Sequence, residues 1–267
     1  HPAIVALMEG GFVVTWTSDE QDGSGYGVFG QRYTSVGAKN GTEFQVNTYT
    51  NGDQIFPAIA ALTEGGFVVA WTSSAQDGSG YGVFGQRYTS AGAKNGVEFQ
   101  VNTYTNSDQW FPAIAALAKG GFVVTWQSYI QDGLGIGVFG QGYTSAYLQN
   151  GVEFQVNTFT SSDQSSPAIA ALTEGGFVVT WVSKRQDDLY SLGVYGQRFD
   201  ANANKIALLT LSAPTSAPSS EPTSNPSSNP SSTPTLSPTS APSGPSSSPT
   251  FMSTIKSTQL TLFTLGA

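Results

Sequence analysis

"PAIVALMEGGFVVTWTSDEQDGSGYGVFGQRY", residues 2–33, contains three strand-like runs separated by turn residues. In "FVVTWTS" (12–18), Phe12, Val14 and Trp16 fall on one face and Val13, Thr15 and Thr17 on the other, the two-residue period of a strand. "AIVAL" (3–7) stops at Glu-Gly-Gly. "YGVFGQRY" (26–33) follows Asp-Gly, and its glycines let a neighbouring sheet approach. A fourth run, "TEFQVNT" (42–48), follows "KNG", whose Asn-Gly pair favours a hairpin because it tolerates positive φ.

The same pattern returns three times. "PAIAAL" begins at Pro57, Pro112 and Pro167, each step being 55 residues. Trp16, Trp71, Trp126 and Trp181 keep register, and "EFQVNT" recurs at 98–103 and 153–158. The fourth unit has one inserted residue in "QDDLYSLGVYGQRF" (186–199) and ends in "KIALLTL" (205–211) instead of "EFQVNT". Four strands per unit, four times over, predict an all-β, propeller-like domain over 1–211, with units near 2–56, 57–111, 112–166 and 167–211. Open packing of four separate β modules is the alternative. Each unit's proline is expected to head its first strand, since proline has no ladder donor. The recurring tryptophans read as core. Trp110, whose equivalents are Ile55 and Ser165, is the better candidate for an exposed contact.

From 212 to 250 the chain changes to proline, serine and threonine, with a proline every four residues from Pro214 to Pro242. Such a segment cannot bury enough apolar area to offset its conformational entropy, and is expected to be an extended polyproline II tether. Its 39 residues span roughly 120 Å at about 3.1 Å each. Proline with Ser/Thr is the composition of O-glycosylated stalks, which makes Thr215, Ser219, Thr223, Ser227, Ser231, Thr235, Thr239 and Ser243 candidate glycan acceptors. An unmodified linker is the other reading. Asn40 opens an N-linked acceptor triplet. Beyond the tether, 251–267 ends in a strand-like run.

Charged residues are only 10% of the chain, net charge is −8, and there is no cysteine. Disulfides and thiolate metal sites are therefore excluded, and without a Lys/Arg cluster a nucleic-acid surface is not expected. No apolar run approaches a membrane span, and the first residue, His1, suggests a processed or partial chain. The lone histidine and absent cysteine remove the usual nucleophile–base pairs, so the chain is expected not to be an enzyme and to need no cofactor. A carboxylate pair for glycoside cleavage stays formally possible. Asp22, Asp77, Asp132 and Asp187 recur once per unit, either as turn residues capping backbone amides or as calcium ligands. Arg32, Arg87 and Arg198 are expected to pair with those aspartates or with Asp53, Asp108 and Asp163.

The repeats "GGFVVTW…QDGSGYGVFGQRY…EFQVNT" over 2–211 resemble tandem repeats of very large secreted or surface proteins of bacteria and algae. The "PTSAPSSEPTSNPSSNPS" segment is similar to low-complexity stretches of algal cell-surface proteins. The resemblance implies an extracellular, adhesive or matrix role, and a subunit of a glycosylated fibril. Ile255, Leu260, Leu262, Phe263 and Leu265 would then insert as a strand into another copy's sheet, giving a homopolymer. This expectation assumes that each sheet combines "EFQVNT" with the next unit's strands, leaving the first sheet one strand short. The competing class is a saccharide-binding, lectin-like or adhesive module carried on a glycosylated stalk.

Overall fold

The structure, a computed structural model, describes residues 1–188 and 191–207. Among these residues there are strands and no helix, arranged as four antiparallel four-stranded meanders in a propeller-like array. The first sheet contains β1 (Ala3–Ala6), β2 (Phe12–Asp19), β3 (Tyr26–Tyr33) and β4 (Phe44–Gln45). The second contains β5 (Gln54–Ala61), β6 (Phe67–Ser74), β7 (Tyr81–Tyr88) and β8 (Phe99–Gln100). The third contains β9 (Gln109–Ala116), β10 (Phe122–Tyr129), β11 (Ile136–Tyr143) and β12 (Gln149–Gln155). The fourth contains β13 (Gln164–Ala171), β14 (Phe177–Lys184), β15 (Leu192–Phe199) and β16 (Lys205–Ile206).

Local chemistry accounts for the meander. The Gly-Gly turn closes on Leu7, whose N–H donates to the Gly11 carbonyl at 3.0 Å. Gly11 has φ +80°, so a side chain there would be strained. Gly30 has a different reason to be glycine. A Cβ at this position would lie 2.6 Å from the Phe44 ring, which covers the strand from β4. Across β2 and β3, Phe12 stacks on Tyr33 at 4.9 Å, a pairing repeated by Phe67–Tyr88, Phe122–Tyr143 and Phe177–Phe199.

Three expectations are corrected. The tight turn after β3 lies at Thr34–Ala38, where Thr34 N–H donates to the Ala38 carbonyl at 2.8 Å, rather than at Asn-Gly. Asn40–Gly41 forms a second kink, held by Gln31 donating to the Gly41 carbonyl at 3.1 Å. Next, Pro57, Pro112 and Pro167 do not head their strands. Each strand starts three residues earlier, and the register shifts at the proline. The bulge forms because proline cannot donate to the ladder. Finally, "EFQVNT" pairs with the third strand of its own unit, so no sheet mixes strands from two units. The first sheet therefore has four strands and no vacancy for a donated one, although β1 is half the length of β5. The run "KIALLTL" that ends the fourth unit begins inside its own sheet, where Ile206 pairs with Arg198.

Each sheet packs on the next through two unlike faces. Val13, Val28 and Val46 of the first unit meet Phe67, Val69, Trp71 and Phe84 of the second. Val68, Ala70, Val83 and Val101 then meet Phe122, Val124, Trp126 and Phe139. Val123, Val138 and Val156 meet Phe177, Val179 and Trp181. Every interface thus sets a valine-rich face, edged by one phenylalanine (Phe44, Phe99 or Phe154), against an aromatic one, and the hydrophobic cores of the array lie between sheets. The inner strands pack in the order β1–β5–β9–β13, with no comparable packing of β13 on β1.

Candidate functional site

The recurring aspartates hold their turns. Asp22 accepts from Asn47 Nδ2 at 3.0 Å and from Ser24 N–H at 3.4 Å. Asp77 and Asp132 repeat the contact with Asn102 and Asn157 at 3.3 and 3.1 Å. Asp187, in the shortened unit, accepts from the Tyr195 hydroxyl instead. Burial raises the Asp132 carboxyl above the usual carboxylate range, against the hydrogen bond from Asn157. Among the described residues, no three His, Cys, Asp or Glu side chains gather as a metal cluster.

The asparagines in these contacts are the hubs of a buried relay. Asn47 Oδ1 accepts from Val28 N–H at 2.8 Å, while its Nδ2 reaches Gln54 Oε1 at 2.9 Å. Asn102–Gln109 and Asn157–Gln164 repeat this link at 3.0 and 2.9 Å. Each glutamine opens the next sheet, so the relay ties one unit to its successor. The seven-residue Asn…Gln recurrence is visible in the sequence, but only the structure shows what it does.

The arginine expectation is corrected. Arg32 donates to the Ser90 and Ala91 carbonyls of the following unit at 2.6 and 2.7 Å, and Arg87 lies 4.0 Å over the Tyr147 ring. Asp53, Asp108 and Asp163 accept instead from the backbone N–H groups of Tyr26, Tyr81 and Ile136 at 3.3, 3.0 and 3.3 Å. Asn40 is exposed, and its N–H donates to the Arg32 carbonyl at 2.9 Å. The Ser/Thr acceptors at 215–243 and the assembly residues Ile255, Leu260, Leu262, Phe263 and Leu265 lie outside the described residues.

Two cavities converge on the bulges at the inner strands. One, of about 270 Å³, is lined by His1, Phe56, Phe111 and Ser166 together with Pro57, Pro112, Pro167 and Gln127. His1, Phe56, Phe111 and Ser166 are the four equivalent pre-proline positions. The last three hold φ near +56°, a conformation rare for residues with a side chain. Their strain is offset locally. Phe111 N–H donates to Thr72 Oγ1 at 3.2 Å, and Ser166 N–H donates to Gln127 Oε1 at 2.7 Å.

The second cavity, of about 240 Å³, lies between the second and third sheets. It is lined by Ile55, Phe56, Thr72, Tyr81, Asp108, Trp110 and Phe111. Phe56 and Phe111 pack ring to ring at 4.3 Å, and Trp110 meets Phe111 edge-on at 6.5 Å. Trp110 is half-buried. Asp108 Oδ1 holds Tyr81 N–H, whereas its second oxygen has no hydrogen bond among the described residues. The equivalent boundary between the third and fourth sheets has Ile136, Ser165 and Ser166 in place of Tyr81, Trp110 and Phe111. The scaffold repeats, but this aromatic lining does not. Trp110 was legible as a break in the repeat; its partners became visible only when the sheets were assembled.

No protein-family model matches the sequence, and no curated protein matches it. Solved structures do. The Penicillium chrysogenum α-L-arabinanase complexed with arabinobiose aligns at 17% identity and TM-score 0.55, over 77% of this chain and 65% of its own. The GH93 α-L-arabinofuranosidase of Fusarium graminearum, also with arabinobiose, aligns at 12% identity and TM-score 0.53, over 77% and 64%. The chain thus spans about two thirds of the length of these two neighbours, with which it shares its fold. The expectation that the chain is not an enzyme is corrected here. This fold carries glycoside-cleaving enzymes, and glycoside cleavage runs on paired carboxylates without histidine or cysteine. The missing nucleophile–base pairs therefore do not exclude catalysis. No helix of the described residues is long and apolar enough to cross a membrane.

Proposed function

We propose that the chain is an extracellular saccharide-binding module whose site is the aromatic cleft between its second and third sheets. One observation carries this reading: four aromatic side chains and a carboxylate with a free oxygen line one cavity, where Trp110 stands at the position held by Ile55 and Ser165 in other units. A pyranose or furanose ring presents C–H faces that pack on aromatic rings and hydroxyls that donate to a carboxylate. At about 240 Å³ the cavity is just below the roughly 300–1,000 Å³ typical of ligand sites, which suits a single sugar residue of a longer chain. Two fold neighbours hold arabinobiose, so short arabino-oligosaccharides are the first ligands to try.

The test is calorimetric titration of the whole chain with a panel of oligosaccharides, alongside W110A and D108N. Binding that weakens about tenfold in W110A, equivalent to about 1.4 kcal/mol, supports the cleft. A panel with no ligand, or W110A binding as tightly as the parent, removes the reading. On this proposal the proline-rich stretch is a glycosylated stalk outside the cell. A filament built by the segment 251–267 remains a separate proposal, resting on residues outside those described.

A further inference from the structure

We infer that the chain docks head-to-tail on copies of itself through the outer faces of its first and fourth sheets. Three internal interfaces already show the recognition rule: an aliphatic face of one sheet receives the aromatic face of the next. The first sheet presents an aromatic face of the same kind, with Ile4, Phe12, Val14 and Trp16, and no described residue covers it. Ile4 is 66% exposed, whereas its equivalents Ile59, Ile114 and Ile169 pack against the interface cores. Trp16 is partly exposed, whereas Trp71 and Trp126 are fully buried.

The fourth sheet presents the complementary aliphatic face. Val178, Val182, Leu192 and Val194 share one side of β14 and β15 by register. Leu192 and Val194 are 71% and 68% exposed, whereas the equivalent Val28, Val83 and Val138 are wholly buried. Val182 replaces Thr17, Thr72 and Gln127, and Lys184 lies on the same side opposite Leu192. The polar rim also matches. Arg32 clamps the Ser90 and Ala91 carbonyls of the next unit, and Arg198 is the matching residue of the fourth sheet. The carbonyls on a second copy that correspond to those of Ser90 and Ala91 are the carbonyls of Ser35 and Val36.

The two faces differ, so the contact is heterologous and can repeat from copy to copy. The fourth unit lacks the aromatic residue that Phe44, Phe99 and Phe154 contribute at the internal interfaces, so the contact is weaker than those and reversible. This inference does not depend on saccharide binding or on the terminal segment.

Sedimentation and light scattering of the full chain across concentration test it, using I4D and V194D. Both positions are exposed, and circular dichroism checks that each variant folds. The parent is expected to gain mass with concentration and each variant alone to remain monomeric. An equimolar mixture of the two should form a one-to-one heterodimer, because each variant retains the face the other lacks. A parent that is monomeric throughout, variants that assemble like the parent, or a mixture that stays monomeric each overturns the inference. So does assembly that survives both substitutions but is lost on deleting 251–267, which makes the terminal segment the connector.

Discussion

Trp16 and Trp126 occupy the same position in nearly the same sequence, yet one is partly exposed and the other fully buried. The second and third sheets are covered on both faces, and β6 and β10 are buried almost throughout. Among the described residues the first and fourth sheets are covered on one face, and β14 alternates buried with half-buried positions. Identical strands thus acquire different energetic weight from their neighbours alone, because burial belongs to the interface and not to the strand.

That contrast is most open to attack at the tryptophans. Trp126→Ala should cost about 3–5 kcal/mol, the range for deleting a buried large aromatic. Trp16→Ala should cost less than half as much by denaturant titration. Equal losses at the two positions would mean that the first sheet is covered after all.

The asparagine relay gives the next effect. Asn102→Ala leaves the Val83 N–H without its acceptor and Gln109 without its donor, a loss of about 1–3 kcal/mol for each buried group orphaned. Among the described residues the fourth unit shows no such relay, and its Asn204 lies exposed beside Asp200. Asn204→Ala should move the thermal midpoint far less, and parity between the two variants would contradict the relay's structural role.

Glycine sharpens the comparison further. A Cβ at Gly140 would lie 2.6 Å from Phe154, whereas at Gly196 the nearest atom is Thr180 Cγ2 at 3.4 Å. Gly140→Ala should therefore destabilise by about 1–3 kcal/mol through overpacking. Gly196→Ala should be close to neutral.

The smallest effect is titration. Asp132 is raised above the ordinary 3.8 by burial, so its neutral form is favoured in the folded chain. Its contribution to stability is present below that ordinary value and is lost as pH rises through the raised folded pKa. Asp200 is lowered, first by the Asn204 hydrogen bond. Its contribution is present above the ordinary value and is lost as pH falls through the lowered folded pKa. Carboxyl NMR should show the Asp132 midpoint above the Asp200 midpoint; the reverse order would refute both assignments.

Much of this was legible in the residues. Alternation in "FVVTWTS" and the Gly-Gly and Asp-Gly turns placed the strands of each unit within a few residues, since both signals act over short range. The phase of the array was not legible. Gln54, Ile55 and Phe56 belong to the second sheet because they pair with β6, and the sequence alone suggested that the sheet begins at Pro57. The candidate cleft was half legible: Trp110 stood out against Ile55 and Ser165, but Asp108, two residues before it, and Tyr81, far from it in sequence, are ordinary members of their repeats.

By itself the sequence determined a fourfold all-β chain, because strand period and positive-φ turns are encoded within each 55-residue unit. Only the tertiary structure decided which faces are covered, which amides link one unit to the next, and where aromatic rings from two sheets converge. Those outcomes depend on contacts between units, which strand period and turn residues within one unit do not encode.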